Sequence, residues 1–131
     1  MMSRHNLVLV IDDEAPVRQA VSDILEMEGV EVVTAVNGTE GIQIYQQQQD
    51  KIKVILLDLS MPGLSGEETL HELYKIDPGV CVILSSGYGQ FDVLDRVEQK
   101  ENVSYLQKPY NMSQLLREVF KYLDNGSMAN N

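Results

Sequence analysis

The chain has no tryptophan, a single cysteine among 131 residues, and only ten basic side chains against twenty acidic ones. The last two shortages each close off a class of protein. One cysteine, Cys81, forbids an intrachain disulfide, and its place in the apolar run Val80 to Leu84 predicts a buried, inert thiol. A formal charge of −10 is the wrong sign for a surface that neutralises a phosphate backbone, so nucleic acid is not an expected partner. No apolar run approaches the roughly 20 residues that cross a bilayer. Met1 to Asn6 and the five apolar residues behind them lack the hydrophobic region and cleavage site of a secretory signal. The protein is therefore expected in the cytoplasm, away from membranes. A single domain with one core is expected over residues 1–131, globular from about 6 to 124 with a polar tail from 125 to 131.

What the chain has instead is a series of short apolar runs bounded by turn residues. Leu7 to Ile11, Val54 to Leu57 and Val80 to Leu84 are unbroken, the mark of strands buried on both faces. Glu31 to Ala35 and Val103 to Gln107 are mixed and suit the edges of a sheet. Between the runs, apolar residues recur at helical spacing. Val17, Ala20, Val21, Ile24 and Leu25 predict a helix over about Ala15 to Glu28, with Pro16 tolerated in its first turn and Gly29 at its stop. A second helix, about Thr39 to Gln49, is less sharply patterned, with Ile42 and Tyr45 as inner residues and Gln46 to Gln49 as its solvated end. Ser65 and Glu68 form a capping-box pair ahead of Leu70, Leu73 and Tyr74. A fourth helix, about 91–100, has only Val93, Leu94 and Val97 to bury, so it is expected to be the least anchored and the one that moves. Asn111 and Gln114 open the last helix, whose stripe of Met112, Leu115, Leu116, Val119, Phe120 and Leu123 is the cleanest in the chain.

Strand and helix alternate five times, which predicts an α/β fold, a doubly wound five-stranded parallel sheet of (βα)5 type. Placing the pure runs in the centre gives the order 2-1-3-4-5, one of the two common doubly wound arrangements. Ligands of such sheets bind just past the carboxyl ends of the strands. There this chain carries acid: Asp12, Asp13 and Glu14 behind the first run and Asp58 behind the third. Carboxylates brought within about 4 to 6 Å repel by up to roughly 4 kcal/mol per close pair at an effective dielectric near 20. Relief must come from Lys108, the cation stationed at a strand end, or from a hard divalent ion, Mg²⁺ being the best fit to oxygen ligands. Carboxylates, metal, lysine and a strand-end hydroxyl are the parts of a phosphoryl-transfer site, in which one carboxylate is the nucleophile and becomes an aspartyl phosphate.

Asp12-Asp13 after strand one, Asp58 after strand three with Met61-Pro62-Gly63 behind it, Ser86-Gly87 after strand four and Lys108-Pro109 after strand five together resemble the receiver domain of two-component response regulators. The likeness covers about Asn6 to Asp124 and implies the flavodoxin-like receiver fold. It implies that Asp58 accepts a phosphoryl group from a phosphohistidine on a sensor histidine kinase or a histidine phosphotransfer domain. Asp13 and Asp58 would bind Mg²⁺ directly, Asp12 through water and Ser60 through its backbone carbonyl. Lys108 would neutralise a phosphoryl oxygen, its bond to Pro109 being cis. Ser86 would donate its hydroxyl to the phosphoryl group and, by moving toward it, let Tyr105 turn from an outward to an inward position. The output would be a changed surface made by the fourth helix, fifth strand and fifth helix, offered to a downstream protein or a fused output domain. Two positions depart from the commonest pattern. Ser60 stands where Asn is frequent, and Tyr88 is bulky enough to shield the phosphoryl group, so the lifetime of the phosphorylated state is open.

Taken singly these residues have plainer uses. Asp58 or Ser86 alone could cap a turn or helix, Lys108 could be a surface lysine, and Tyr105 an edge-strand aromatic. Only their common strand-end placement joins them. His5 and His71 have no carboxylate or cysteine partner at ligand spacing and are expected to be solvated, and Gly87-Tyr88-Gly89 is no dinucleotide fingerprint because Asp92 stands in the third glycine's place. The rival enzyme class is a Mg²⁺-dependent phosphohydrolase with an aspartyl nucleophile. Such enzymes commonly carry a second acid two residues past the nucleophile, where this chain has Ser60. A flavin carrier needs a Ser/Thr/Gly loop after the first strand, and Asp12-Asp13-Glu14 would repel the cofactor's phosphate. A receiver-like binding module that is never phosphorylated is the last alternative. The chain is thus expected to be a phosphoacceptor switch, not a turnover enzyme, without an output domain behind its last helix. A stand-alone regulator and a receiver from a larger protein such as a hybrid kinase both fit.

Overall fold

The computed structural model describes residues 6–60, 65–87 and 102–123. Five parallel strands form one sheet in the order β2-β1-β3-β4-β5: β1 is Leu7–Ile11, β2 Glu31–Ala35, β3 Ile52–Asp58, β4 Val82–Ser86 and β5 Val103–Gln107. Four helices are described with them: α1 Ala15–Met27, α2 Gly38–Gln48, α3 Gly66–Ile76 and α4 Met112–Phe120. The helix expected at about 91–100 lies outside the described residues, as do Met61-Pro62-Gly63, Tyr88, His5 and the tail, so α4 is the fifth helix of the sequence pattern.

The strands divide as their composition predicts. Every residue of β1, β4 and all but Lys53 of β3 is buried, whereas β2 and β5 are largely half-exposed edges. Because side chains alternate across a strand, the two faces build two cores. One joins Leu9, Ile11, Ile55, Leu57 and Leu84 to Tyr45 of α2 and to Leu70 and Leu73 of α3. The other joins Val8, Val10, Val54, Leu56, Ile83 and Leu106 to Val21 and Leu25 of α1 and to Leu115 and Val119 of α4. Each such side chain contributes about 1.5–3 kcal/mol by leaving water, which is why the double-sided strands hold the centre.

Local signals start and stop the helices. Pro16 sits in the first turn of α1, and Gly29, at φ 81°, ends it while the Val30 N–H donates back to the Leu25 carbonyl at 3.0 Å. The Ser65/Glu68 and Asn111/Gln114 capping boxes both form. Asn37 caps α2 by accepting from the Glu40 N–H at 2.8 Å.

Three expectations change. The fourth strand is Val82–Ser86 and not Val80 to Leu84, since the serines continue the ladder: Ser85 pairs with Asp58 and Ser86 with Gln107. Cys81 therefore precedes the strand and is half-buried, though burial still pushes its thiol up, with Asp77 adding to the effect. Met112 is 48% exposed, because the inward stripe of α4 begins one turn later at Leu115.

Candidate functional site

The β1 and β3 ends place two carboxylates side by side. Ile11 pairs with Leu57 at the last rung between these strands, so Asp12 and Asp58, the next residues, stand side by side, Asp12 just past β1 and Asp58 as the last residue of β3. Both are 3% exposed. Asp12 Oδ1 accepts the Glu14 N–H at 2.9 Å, and Asp58 Oδ1 accepts the Ser60 N–H at 3.0 Å. The Arg18 guanidinium donates to the Asp12 carbonyl at 2.7 Å, tying the β1–α1 junction to the first turns of α1. Asp13 is exposed, yet one oxygen from each of Asp12, Asp13 and Asp58 lies within 4.8 Å of the others.

Lys108 completes the group from the end of β5, the edge strand two places from β3. Its N–H donates to the Ser86 carbonyl at 2.8 Å, one step beyond β5, and the Lys108–Pro109 bond is cis, as the receiver resemblance implies. The ammonium stands 3.2 Å from Asp12 Oδ2 and 3.5 Å from Asp58 Oδ2. Burial raises the Asp58 carboxyl above its usual value and Asp12 adds to this, while the Ser60 N–H and Lys108 pull it back. Burial on its own would lower Lys108, but Asp12 and Asp58 outweigh it and hold the ammonium above its ordinary value. The Lys108 shift reports an excess of negative charge around the ammonium. Such a set of closely placed carboxylate oxygens suits a hard divalent cation.

Ser86 and Tyr105 meet next to this cluster. The Tyr105 hydroxyl donates to the Ser86 carbonyl at 3.1 Å and lies 3.2 Å from Ser86 Oγ, so the tyrosine is already turned in against the strand-four hydroxyl. Behind Lys108, a cleft of about 400 Å³ opens between Pro16, Val17, Ala20 and Ile24 of α1 and Pro109 and Tyr110. Burial, reinforced by Asp12 and Asp58, raises the Tyr110 phenol and keeps it neutral.

This arrangement has known counterparts. Residues 8–120 match the family model of the response regulator receiver domain. The chain belongs to the response regulator receiver family. Sporulation initiation phosphotransferase F from Bacillus subtilis is 27% identical over 116 residues, spanning 88% of this chain and 92% of that protein. Among solved structures, a receiver domain protein from Clostridium thermocellum superposes with a TM-score of 0.80 at 35% identity, covering 93% of this chain and 97% of that one. The response regulator TrrA from Thermotoga maritima, in complex with Mg²⁺-BeF, superposes with a TM-score of 0.76 at 30% identity over 90% of this receiver and 99% of that chain. The receiver is thus a signalling domain of the two-component type, whose family role is to accept phosphoryl groups.

Of the residues singled out in the sequence, Asp12, Asp13, Asp58 and Lys108 come together in the receiver, and Ser86 and Tyr105 touch. Ser60 joins through its backbone N–H, its side chain being exposed. Sequence reasoning missed Arg18, Tyr110 and Ser85. Arg18 is half-buried in the first turn of α1 and reaches back to Asp12, a contact that no apolar pattern reports. Among the described residues no helix is long and apolar enough to cross a membrane.

Proposed function

We propose that Asp58 is the phosphoacceptor of this receiver and takes its phosphoryl group from a phosphohistidine on a sensor histidine kinase or histidine phosphotransfer domain. The observation that carries this reading is the meeting of three carboxylates with one ammonium at the ends of β1, β3 and β5. An Asp58 oxygen attacks phosphorus as the P–N bond breaks. The electron pair returns to the imidazole nitrogen, and the new P–O bond leaves an aspartyl phosphate. Asp13 and Asp58, with the Ser60 carbonyl and with Asp12 through water, would hold Mg²⁺. When bound, the ion supplies positive charge to the phosphoryl oxygens and so lowers the cost of bringing an anion to acids. Lys108 takes the remaining phosphoryl charge, leaving Asp12 and Asp58 to do so.

Ser86 then donates its hydroxyl to the phosphoryl group and gives up its contact with Tyr105. That exchange biases the surface of the segment 91–100, β5 and α4, which a downstream protein or fused output domain reads. The apolar cleft beside Lys108 suits the helix that carries the donor histidine, since Lys108, which lines it, is itself 3.5 Å from Asp58. The chain is a cytoplasmic domain that takes one phosphoryl group per activation and does not turn over as an enzyme. Position 60, a serine, offers no second acid for the hydrolase alternative.

The test is labelling by acetyl phosphate in the presence of Mg²⁺. One phosphoryl group per chain is expected, absent without metal and absent in Asp58→Asn. Label retained in that variant would move the acceptor elsewhere, and multiple turnover of small phosphate esters would favour the hydrolase.

A further inference from the structure

Ser85 sits in the same row of the sheet as Asp58 and has no evident occupation. The register pairs Asp58 of β3 with Ser85 of β4, and Ser85 in turn with Leu106 of β5. Leu106 packs in the core beneath α1 and α4, together with Leu56 and Ile83, which share the strand parity of Asp58 and Ser85. The row therefore runs across that one face of the sheet, and Asp58 is the polar neighbour of Ser85 in it. Ser85 is 1% exposed, and among the described residues its Oγ is the buried side-chain oxygen without a hydrogen-bond partner. A buried hydroxyl left unpaired is costly, whereas alanine at the same place would lose nothing in the resting protein.

Paired residues on neighbouring strands stand about 4.8 Å apart, so a serine rotating about χ1 brings its hydroxyl within reach of the adjacent aspartyl side chain. In the resting receiver Asp58 is already served, Oδ1 by the Ser60 N–H and Oδ2 by Lys108. A phosphoryl group on Asp58 changes this, because its oxygens compete for the ammonium. We propose that Ser85 is a positioning residue that donates its hydroxyl to the Asp58 side chain once Asp58 carries the phosphoryl group, replacing the donor that Lys108 withdraws. The inference rests on Asp58 being the phosphoacceptor. It makes Ser85, like Ser86, a hydroxyl that distinguishes the phosphorylated state, but from the opposite face of the sheet and through the aspartyl oxygens.

The test is thermal unfolding and titration of Ser85→Ala and Ser85→Thr with beryllium fluoride, a phosphoryl mimic, and Mg²⁺. Without ligand, Ser85→Ala is expected to unfold at the wild-type temperature or above it. Its affinity for beryllium fluoride falls about five- to tenfold, the loss of one hydrogen bond to an uncharged acyl oxygen, and Ser85→Thr restores part of it. Wild-type affinity in Ser85→Ala would overturn the proposal. So would equal loss of stability with and without the ligand, since that marks a packing role. Asp58→Asn separates the two levels of inference. If wild type shows no response to beryllium fluoride, or Asp58→Asn keeps it, the assignment of Asp58 fails and Ser85 falls with it.

Discussion

Replacing Lys108 with methionine removes one positive charge from the acidic cluster at nearly constant side-chain length, and its cost follows from the geometry. The ammonium lies 3.2 Å from Asp12 and 3.5 Å from Asp58. At an effective dielectric near 20, each contact is worth about 5 kcal/mol of attraction. Carboxylate oxygens 4.8 Å apart, the outer limit of this cluster, repel by about 3.5 kcal/mol on the same scale. Asp13 is exposed and its share is screened, so the attraction of Lys108 outweighs the Asp12–Asp58 repulsion in the native protein. Without it, two nearly buried carboxylates face each other and one must take up a proton. That escape limits the loss to about 3–5 kcal/mol, the usual cost of orphaning a buried charge. For a chain of this size the midpoint should drop by about 10–20 °C.

The pH dependence carries the sign. The Lys108 pKa is raised in the fold, so its contribution is complete below the unfolded lysine value and is lost as pH rises through the folded one. The Asp58 carboxyl is also raised, so it takes up its proton earlier as pH falls, which removes a partner of the ammonium. The gap between wild type and Lys108→Met should therefore be widest near neutrality and narrow toward either extreme. Denaturant unfolding across pH, with and without Mg²⁺, measures it. Magnesium should stabilise the variant more than wild type, because its carboxylates are unopposed. A gap under about 1 kcal/mol at neutral pH, or one that stays constant as pH falls to about 4, would refute the electrostatic account of the site.

Two further outcomes follow from contacts at the same strand ends. A methyl group at Gly66 would come within 2.5 Å of the Leu59 Cα and 3.0 Å of the Asp58 carbonyl oxygen, so Gly66→Ala should cost about 1–3 kcal/mol and slow labelling of Asp58 by acetyl phosphate; unchanged labelling kinetics would show that the start of α3 does not hold the acceptor loop. Tyr105→Phe and Ser86→Ala, made singly and together, should show a coupling of about 0.5–1.5 kcal/mol in unfolding without ligand, and additive effects would mean that the two hydroxyls act independently.

Much of this molecule is visible in hydropathy and capping residues. The runs at Leu7 and Val54 are central strands because no polar residue interrupts them, and Ser65/Glu68 and Asn111/Gln114 close their capping boxes as written. Hydropathy failed where small hydroxyl residues continue a strand. Ser85 and Ser86 look like the end of β4 but are its last two rungs, and the run that seemed to begin at Val80 starts two residues later. The inward position of Tyr105 was expected only once Ser86 moves toward a phosphoryl group, whereas the tyrosine already meets Ser86 without one, a contact between neighbouring strands that hydropathy does not report.

The order of elements, the buried centre of the sheet and the presence of acid at two strand ends belong to the sequence itself, because each depends on residues close together in the chain. The cluster that one ammonium holds does not. Asp12 and Lys108 are 96 residues apart, and only the pairing of β1 with β3, β3 with β4 and β4 with β5 sets them 3.2 Å from each other. Register is a property of the assembled sheet: shifting one strand by a single residue would turn Asp58 to the other face, with the same sequence and none of the chemistry.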